Sequence, residues 1–316
     1  MVDQRPWTAS LRSRLPARPW TTRFAPAPTG PLHLGHLANA LFVWGMARAH
    51  GGAVVLRLED HDQSRCRPAY EDALLRTLDW LGLEPDRFPT ASFRDDPVTH
   101  PARQSNQEAR YAAALEPLDA HGLVYPCTCS RKRIADPLGL PDGTEARYPG
   151  TCRMAHHAPA ATPARRVHLA PGAWTFEDLR LGALVQEPAA QCGDLLVRDR
   201  LGQWTYQYAV VVDDMTHGID VVIRGEDLLA STGRQLQLAS LLGRLTPPLY
   251  CHHPLLVHPD GRKLSKAGQD TSLLALRDAG WSVPALIGQA AWRAGLLPTD
   301  RPVPFQAVVD RLAGAD

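Results

Sequence analysis

The chain has 316 residues, 44% of them hydrophobic, which is enough apolar content for a large core and excludes a disordered or low-complexity chain. Lys+Arg total 34 against 33 Asp+Glu, a net charge of +1, so no bulk basic footprint points to a nucleic-acid partner, although a neutral total leaves room for a local patch. Six cysteines are too few for a disulfide scaffold, and no apolar run approaches the roughly 18–20 residues of a membrane span.

The first twenty residues carry several arginines but no apolar segment of the kind a secretory signal needs, and read as a loose leader of a cytoplasmic protein. Trp20–Phe24 reads as a short strand, stopped by Pro26 and Pro28. Leu34, Leu37, Leu41 and Trp44 then recur at three- and four-residue spacing, which predicts an amphipathic helix ended by Gly51-Gly52. Ala53–Leu58 is an apolar run of the kind buried in a parallel sheet, so strand, helix and strand make a βαβ unit. Tyr70–Leu81 predicts a second amphipathic helix closed by Gly82, and residues 101–122 a helical stretch ending at Gly122.

Residues 126–166 lose this periodicity to Cys, Pro, Gly and Arg and read as a small insertion. Beyond it, Val167–Leu169, Leu195–Arg198, Thr205–Val212 and Val221–Arg224 read as strands and Leu228–Leu242 as a helix. Pro254–Val257 reads as a short strand before a loop at Asp260–Lys266; Ser272–Leu297 is mostly helical, and Pro298 through Pro304 look frayed. There is no internal repeat, and the alternation predicts an α/β core with an inserted subdomain.

Two segments carry chemistry. In Pro28-Thr-Gly30-Pro-Leu-His33-Leu-Gly35-His36 the glycines allow a close backbone approach, and a helix starting near Gly35 offers free N–H groups to phosphate. His33 and His36 lie one helical turn apart, where both imidazoles can donate to a phosphate gaining charge. In Asp260-Gly-Arg-Lys263-Leu-Ser265-Lys266, two lysines three apart suit a polyphosphate clamp. Taken singly, the histidine segment is better read as a surface loop and the lysine segment at least as well so, and neither a Walker loop nor Gly-x-Gly-x-x-Gly accompanies them.

Together, however, these segments resemble the paired signatures of class I aminoacyl-tRNA synthetases. The run Arg23-Phe-Ala-Pro-Ala-Pro-Thr-Gly-Pro-Leu-His-Leu-Gly-His36 is similar to the glutamyl branch. The resemblance continues through Leu56-Arg-Leu-Glu59-Asp60, Tyr206-Gln-Tyr-Ala-Val-Val-Val-Asp-Asp214 and Val222-Ile-Arg224-Gly-Glu-Asp227, covering about residues 21 to 297 in order. It implies a Rossmann-like parallel sheet with an inserted zinc-bearing subdomain and a short C-terminal helical segment. The divisions it implies are a leader at 1–20, catalytic halves at 21–122 and 191–258, the insertion at 123–190, and the lysine loop with helical tail at 259–316.

The resemblance also implies roles. ATP would meet Pro28, Gly30, His33, Gly35, His36, Lys263, Ser265 and Lys266. L-glutamate would meet Arg23, Phe24, Ala25, Pro26, Ala27, Glu59, Tyr206 and Arg224. A planar guanidinium at Arg23 suits the side-chain carboxylate, and Glu59 suits the α-ammonium. His33, His36 and Lys266 would be catalytic in forming glutamyl-adenylate, with Mg²⁺ arriving on the ATP phosphates. The lysine signature ends in Ala267, where many relatives have Ser or Arg, a departure that touches neither lysine.

Cys127-Thr-Cys129 and Tyr148-Pro-Gly-Thr-Cys152 supply three thiolates, which bind Zn²⁺ tetrahedrally if a fourth ligand joins them. His156 stands four residues after Cys152, whereas the resemblance implies Tyr148; Tyr148 is favoured and His156 stays open. One structural zinc per chain is expected, and Cys66, Cys192 and Cys251 need no role. Only 50 residues follow Lys266, too few for the helical anticodon-binding region of a full glutamyl-tRNA synthetase. A short chain with this cysteine pattern resembles the subgroup that activates glutamate without tRNA and transfers it to the queuosine base at the wobble position of tRNA(Asp). That implies ATP, L-glutamate and queuosine-containing tRNA(Asp) as partners of a monomer, with no membrane. Two other readings stand beside it: a truncated synthetase charging the 3′ end of tRNA(Glu), and an inactive paralogue binding glutamate or RNA.

Overall fold

Trp20–Phe24 (β1), Leu34–His50 (α1) and Gly52–Leu56 (β2) form the expected βαβ unit, with β1 and β2 parallel in register from Trp20↔Gly52 to Phe24↔Leu56. The computed structural model describes residues 7–8, 10–135, 145–155, 164–256 and 271–314. Lys263, Ser265, Lys266, His156 and the whole Asp260–Lys266 loop lie outside them. α1 starts at His33, whose side chain caps the Gly35 N–H, and stops where Gly51 takes a left-handed φ of 71°. It is less amphipathic than its spacing suggests, because ten consecutive-turn residues from Leu37 to Ala47 are buried. The sheet covers one side of α1 and C-terminal helices the other. Each fully buried Leu, Phe or Val there contributes about 1.5–3 kcal/mol of transfer free energy.

Pro68–Leu81 (α2) opens with Pro68, which needs no N–H partner at that position, and closes on Gly82. The expected helix over 101–122 is shorter: a 3₁₀ turn at Gln104–Asn106 precedes Glu108–Ala120 (α3). Val124–Cys127 (β3), Ala164–Val167 (β4) and Leu195–Arg198 (β7) make a three-stranded antiparallel sheet in the order β3-β4-β7. The strand expected at Val167–Leu169 therefore ends at Val167 instead of beginning there.

Trp174–Asp178 (β5) and Gly182–Gln186 (β6) form a hairpin that the sequence reading passed over, although buried Phe176 and Asp178 alternate with exposed Thr175 and Glu177. Val221–Gly225 (β8) and Leu249–His253 (β9) join it in the order β6-β5-β9-β8, with β5, β9 and β8 parallel. β1 lies beside β8, where the Asp220 N–H donates to Thr21 O at 2.8 Å. The strand expected at Pro254–Val257 is displaced to Leu249–His253: Pro254 has no N–H for the ladder, residues 254–256 are not strand, and Val257 lies outside the described residues.

The largest departure is Thr205–Val212. Its apolar, β-branched run reads as a buried strand but forms Tyr206–Thr216 (α4), with Tyr208 through Asp214 all buried. A helix buried on all sides hides its own period, so a short apolar run cannot separate the two structures. Thr232–Leu241 (α5) follows, starting four residues later than expected behind a 3₁₀ turn at Glu226–Ser231.

Leu273–Asp278 (α6) and Val283–Arg293 (α7) supply the expected helical tail. The chain does not simply fray after Leu297, for Phe305–Leu312 (α8) is a helix with Val308 and Leu312 fully buried. α8 crosses α1 at Gly45, where a Cβ would stand 2.5 Å from Leu312 Cδ1. Among the described residues, no helix is long and apolar enough to cross a membrane.

Candidate active site

The carboxyl ends of parallel strands β1, β8 and β9 face the N-terminus of α1 across a cavity of about 700 Å³. This is where ligands collect in open α/β sheets. The wall takes Arg23, Phe24, Ala25, Pro26 and Ala27 from β1 and the loop after it, and His33, Gly35 and His36 from the start of α1. Glu59, Tyr206 and Arg224 complete the residues foreseen from sequence. Pro28 and Gly30 sit on the same loop, but the wall takes Thr29 from between them.

The two histidines cap the helix reciprocally. His33 Nδ1 accepts the Gly35 N–H and His36 Nδ1 accepts the His33 N–H, each at 3.1 Å, with ring centroids 4.0 Å apart. An imidazole whose Nδ1 accepts carries its proton on Nε2 when neutral. Both rings can therefore donate from Nε2 without losing their place at the helix terminus. Gly35 is required for this packing, because a Cβ there would lie 2.9 Å from His33 Cε1.

Behind the cavity runs a chain of four charges. Arg23 donates from Nε to Asp214 Oδ1 at 3.2 Å and from Nη1 to Ile223 O at 3.1 Å. Arg57, fully buried, donates from Nη1 to the same Asp214 oxygen at 2.7 Å and from Nη2 to Glu59 Oε1 at 3.0 Å. Burial alone would push the Asp214 carboxyl up, but the Arg23 and Arg57 charges, with a hydrogen bond from Arg57, hold it below its ordinary value. Burial likewise disfavours charged Arg57, and Asp214, Glu59 and Asp213 outweigh it to raise its pKa. Arg23 thus keeps three N–H groups beyond its Asp214 and Ile223 bonds, among the described residues, on a rigidly held fork.

The sequence reading missed several wall residues, notably Asn39, His61, Asp227 and His253. His253 closes β9 beside the foreseen residues, so a correct strand boundary would have found it. Burial pushes its pKa down to about 4, and its neutral ring donates from Nδ1 to Pro254 O, accepts Asn39 Nδ2 at 3.0 Å and stacks on Phe42. His61, a solitary histidine in the sequence, hydrogen-bonds Gln104 Oε1 through Nδ1 at 2.7 Å.

The cysteine cluster lies apart from this cavity, in the three-stranded sheet. Cys127, Cys129 and Cys152 are buried, with all three Sγ atoms within 4.8 Å of one another and Cys129 3.6 Å from Cys152. Tyr148 Oη stands 3.5 Å from Cys127 Sγ and accepts the Cys152 N–H at 2.9 Å. A tetrahedral Zn²⁺ with bonds of about 2.3 Å to sulfur and 2.0 Å to oxygen sets S···S near about 3.8 Å and O···S near about 3.5 Å. The donor set and spacing therefore fit a zinc ion. Arg166 lies 3.7 Å over the Tyr148 ring and donates from Nε to Cys127 Sγ. Gly193, at φ 69°, lets the chain pass Tyr148, since a Cβ there would overlap the Tyr148 carbonyl at 2.0 Å.

Residues 20–296 match the family described as tRNA synthetases class I (E and Q), catalytic domain. A glutamyl-Q tRNA(Asp) synthetase of Burkholderia cenocepacia is 45% identical over 286 residues, which is 89% of this chain and 90% of that protein. Its namesake from Nitratidesulfovibrio vulgaris is 39% identical over 285 residues, covering 87% and 86%. The crystal structure of a glutamate-tRNA synthetase from Elizabethkingia anophelis shares the fold, with a TM-score of 0.75 at 24% identity over 92% of this chain. The chain spans 65% of the length of that larger protein. By family match, identity and the geometry of its cavity, the chain belongs to the class I aminoacyl-tRNA synthetases that comprise the glutamyl and glutaminyl enzymes, and it is a ligase.

Proposed function

We propose that this chain activates L-glutamate with ATP, without tRNA, and transfers the glutamyl group to the queuosine base at the wobble position of tRNA(Asp). The observation that carries the first half is that Arg23 and Glu59, tied together through Asp214 and Arg57, line the same cavity as the capped His33 and His36. A side-chain carboxylate binds the Arg23 fork and an α-ammonium binds Glu59, which directs the α-carboxylate toward the histidines. The second half rests on relatives named glutamyl-Q tRNA(Asp) synthetase at 39–45% identity.

In the activation step an α-carboxylate oxygen attacks the α-phosphorus of ATP. The new O–P bond forms as the bond to the β-phosphate bridging oxygen breaks, and pyrophosphate leaves with the electron pair. Nε2–H groups of His33 and His36 donate to the α-phosphate oxygens as charge builds there, and Pro28, Gly30 and Gly35 shape the loop beside them. Lys263, Ser265 and Lys266 act on the β- and γ-phosphates, whose remaining charge Mg²⁺ carried on ATP would neutralise. Tyr206 and Arg224 complete the amino-acid pocket. Cys127, Cys129, Cys152 and Tyr148 would hold zinc; four protein ligands would leave no open position, so its role would be structural. The protein works as a cytoplasmic monomer, and the segment before residue 21 is not the loose leader expected: Leu11 and Leu15 are buried in the main core, and Arg14 donates to the Leu179 and Asp178 carbonyls.

Glutamate-dependent ATP–pyrophosphate exchange without tRNA tests the activation reading. The wild-type chain is expected to exchange with glutamate and not with glutamine, and Lys266→Ala to abolish exchange with its circular dichroism unchanged. Full exchange by Lys266→Ala would remove that loop from the mechanism.

A further inference from the structure

Behind Arg224 a second buried chain of side chains reaches back to the edge hairpin. Arg224 in β8 and His252 in β9 are register partners on adjacent parallel strands, and Asp178 closes β5 on the far side of β9. Asp178 and His252 have no exposed surface, and Arg224 is 3% exposed where it meets the cavity. Both Asp178 oxygens are doubly engaged. Oδ1 accepts the backbone N–H groups of Arg180 and Leu181 at 2.9 and 2.8 Å; Oδ2 accepts the His252 N–H at 3.0 Å and meets His252 Nδ1 at 2.7 Å.

The direction of each bond follows from Arg224. Its Nε–H can only donate, and it points at His252 Nε2 from 3.1 Å, with the Thr232 hydroxyl 3.3 Å from the same nitrogen. Nε2 must therefore carry the lone pair, which places the single ring proton on Nδ1, facing Asp178. Any other protonation of the ring sets two hydrogens head to head between His252 and Arg224. Burial, the largest influence on His252, favours the neutral ring against the pull of Asp178. Arg224 then donates from Nη1 to Gln235 Oε1 at 2.6 Å and from Nη2 to Thr232 Oγ1 at 2.9 Å. Three of its five N–H groups are committed, leaving one on each Nη among the described residues.

We propose that Asp178 and His252 are positioning residues for Arg224: Asp178 fixes the His252 tautomer, and that tautomer aims the last two Arg224 N–H groups at a carboxylate of the amino-acid substrate. This rests on the glutamate-activating reading. It also gives the β5–β6 hairpin a purpose, since a single pairing, Asp178↔Tyr250, joins β5 to β9 and brings Asp178 to His252.

The test compares His252→Leu and His252→Gln in glutamate-dependent ATP–pyrophosphate exchange with the full chain. Glutamine can accept the Arg224 N–H through its oxygen and donate to Asp178 through its nitrogen; leucine can do neither. His252→Leu is expected to raise the KM for glutamate on the order of 10²-fold, and the KM for ATP by no more than about threefold. His252→Gln is expected to recover about tenfold or more of that loss. An unchanged glutamate KM in His252→Leu, equal rises for both substrates, or no rescue by His252→Gln would each overturn the proposal. If His252→Leu fails to fold, ¹⁵N-histidine spectra of the wild type decide it: the resonances lost in His252→Gln must report a proton on Nδ1, and a proton on Nε2 overturns the chain. Absence of any wild-type exchange would count against the activation reading, and the same spectra would still judge the tautomer.

Discussion

Arg57→Met is expected to abolish glutamate activation and to cost about 3–5 kcal/mol of folding stability, because it removes one partner of a buried charge network and strands the others. The guanidinium is fully buried, with Asp214 at 2.7 Å, Glu59 at 3.0 Å and Asp213 at 4.0 Å. Met fills much of the same volume, so the loss reports charge rather than a cavity. Without Arg57, Asp214 turns wholly to Arg23 and Glu59 loses the bond that aims it, so both ends of the amino-acid pocket shift together. Arg57→Lys keeps one charge but not a fork that reaches two carboxylates, and should fall between. Urea midpoints and exchange assays on the three proteins check this. A wild-type midpoint for Arg57→Met would contradict it.

The second large effect concerns the cysteine cluster. Its core is small, made of Tyr125, Cys127, Cys129, Tyr148, Cys152 and Ala164 with two partly buried neighbours, and a core of that size needs a staple. One zinc per chain is expected by metal analysis. Zinc binding at small structural sites is worth about 10–16 kcal/mol, so chelation should erase hydrogen-exchange protection around Cys127, Cys129 and residues 145–155, while Val124 and Val167 stay anchored in the neighbouring core. β1, β2 and α1, which share another core, should stay protected. Tyr148→Phe keeps the ring under Arg166 but removes the oxygen, and should weaken zinc binding where His156→Ala does not. Full protection in metal-free protein would contradict a stapling metal, and the reverse ranking of the two variants would move the fourth ligand to His156.

Much of the site was legible in the sequence because its chemistry demands residue types at short spacing. The three-residue interval of His33 and His36, Arg23 at the end of a strand and the close cysteines all survive as local patterns. Arg57, Asp178 and His252 could not be read that way. Arg57 meets Asp214 across 157 positions, and Asp178 meets His252 across 74. A buried charge whose partner is that remote looks like an ordinary polar residue in its own segment. The fold was legible where one helix face is buried, as in α2, and misread at α4, where burial on every side erases the period. The β5–β6 hairpin did alternate, but its exposed Leu181 and Val185 blur the pattern. α8 was lost behind two prolines that mark its start rather than a frayed end.

The proposed reaction ends in transfer of activated glutamate to a modified base. Its most direct measurement incubates the protein with ATP and labelled glutamate, adding purified tRNA(Asp) with queuosine, tRNA(Asp) without it, or tRNA(Glu). Label on queuosine-containing tRNA(Asp) alone is the expected result. Label ester-linked to the 3′ end of tRNA(Glu) would contradict it and make the chain a compact glutamyl-tRNA synthetase.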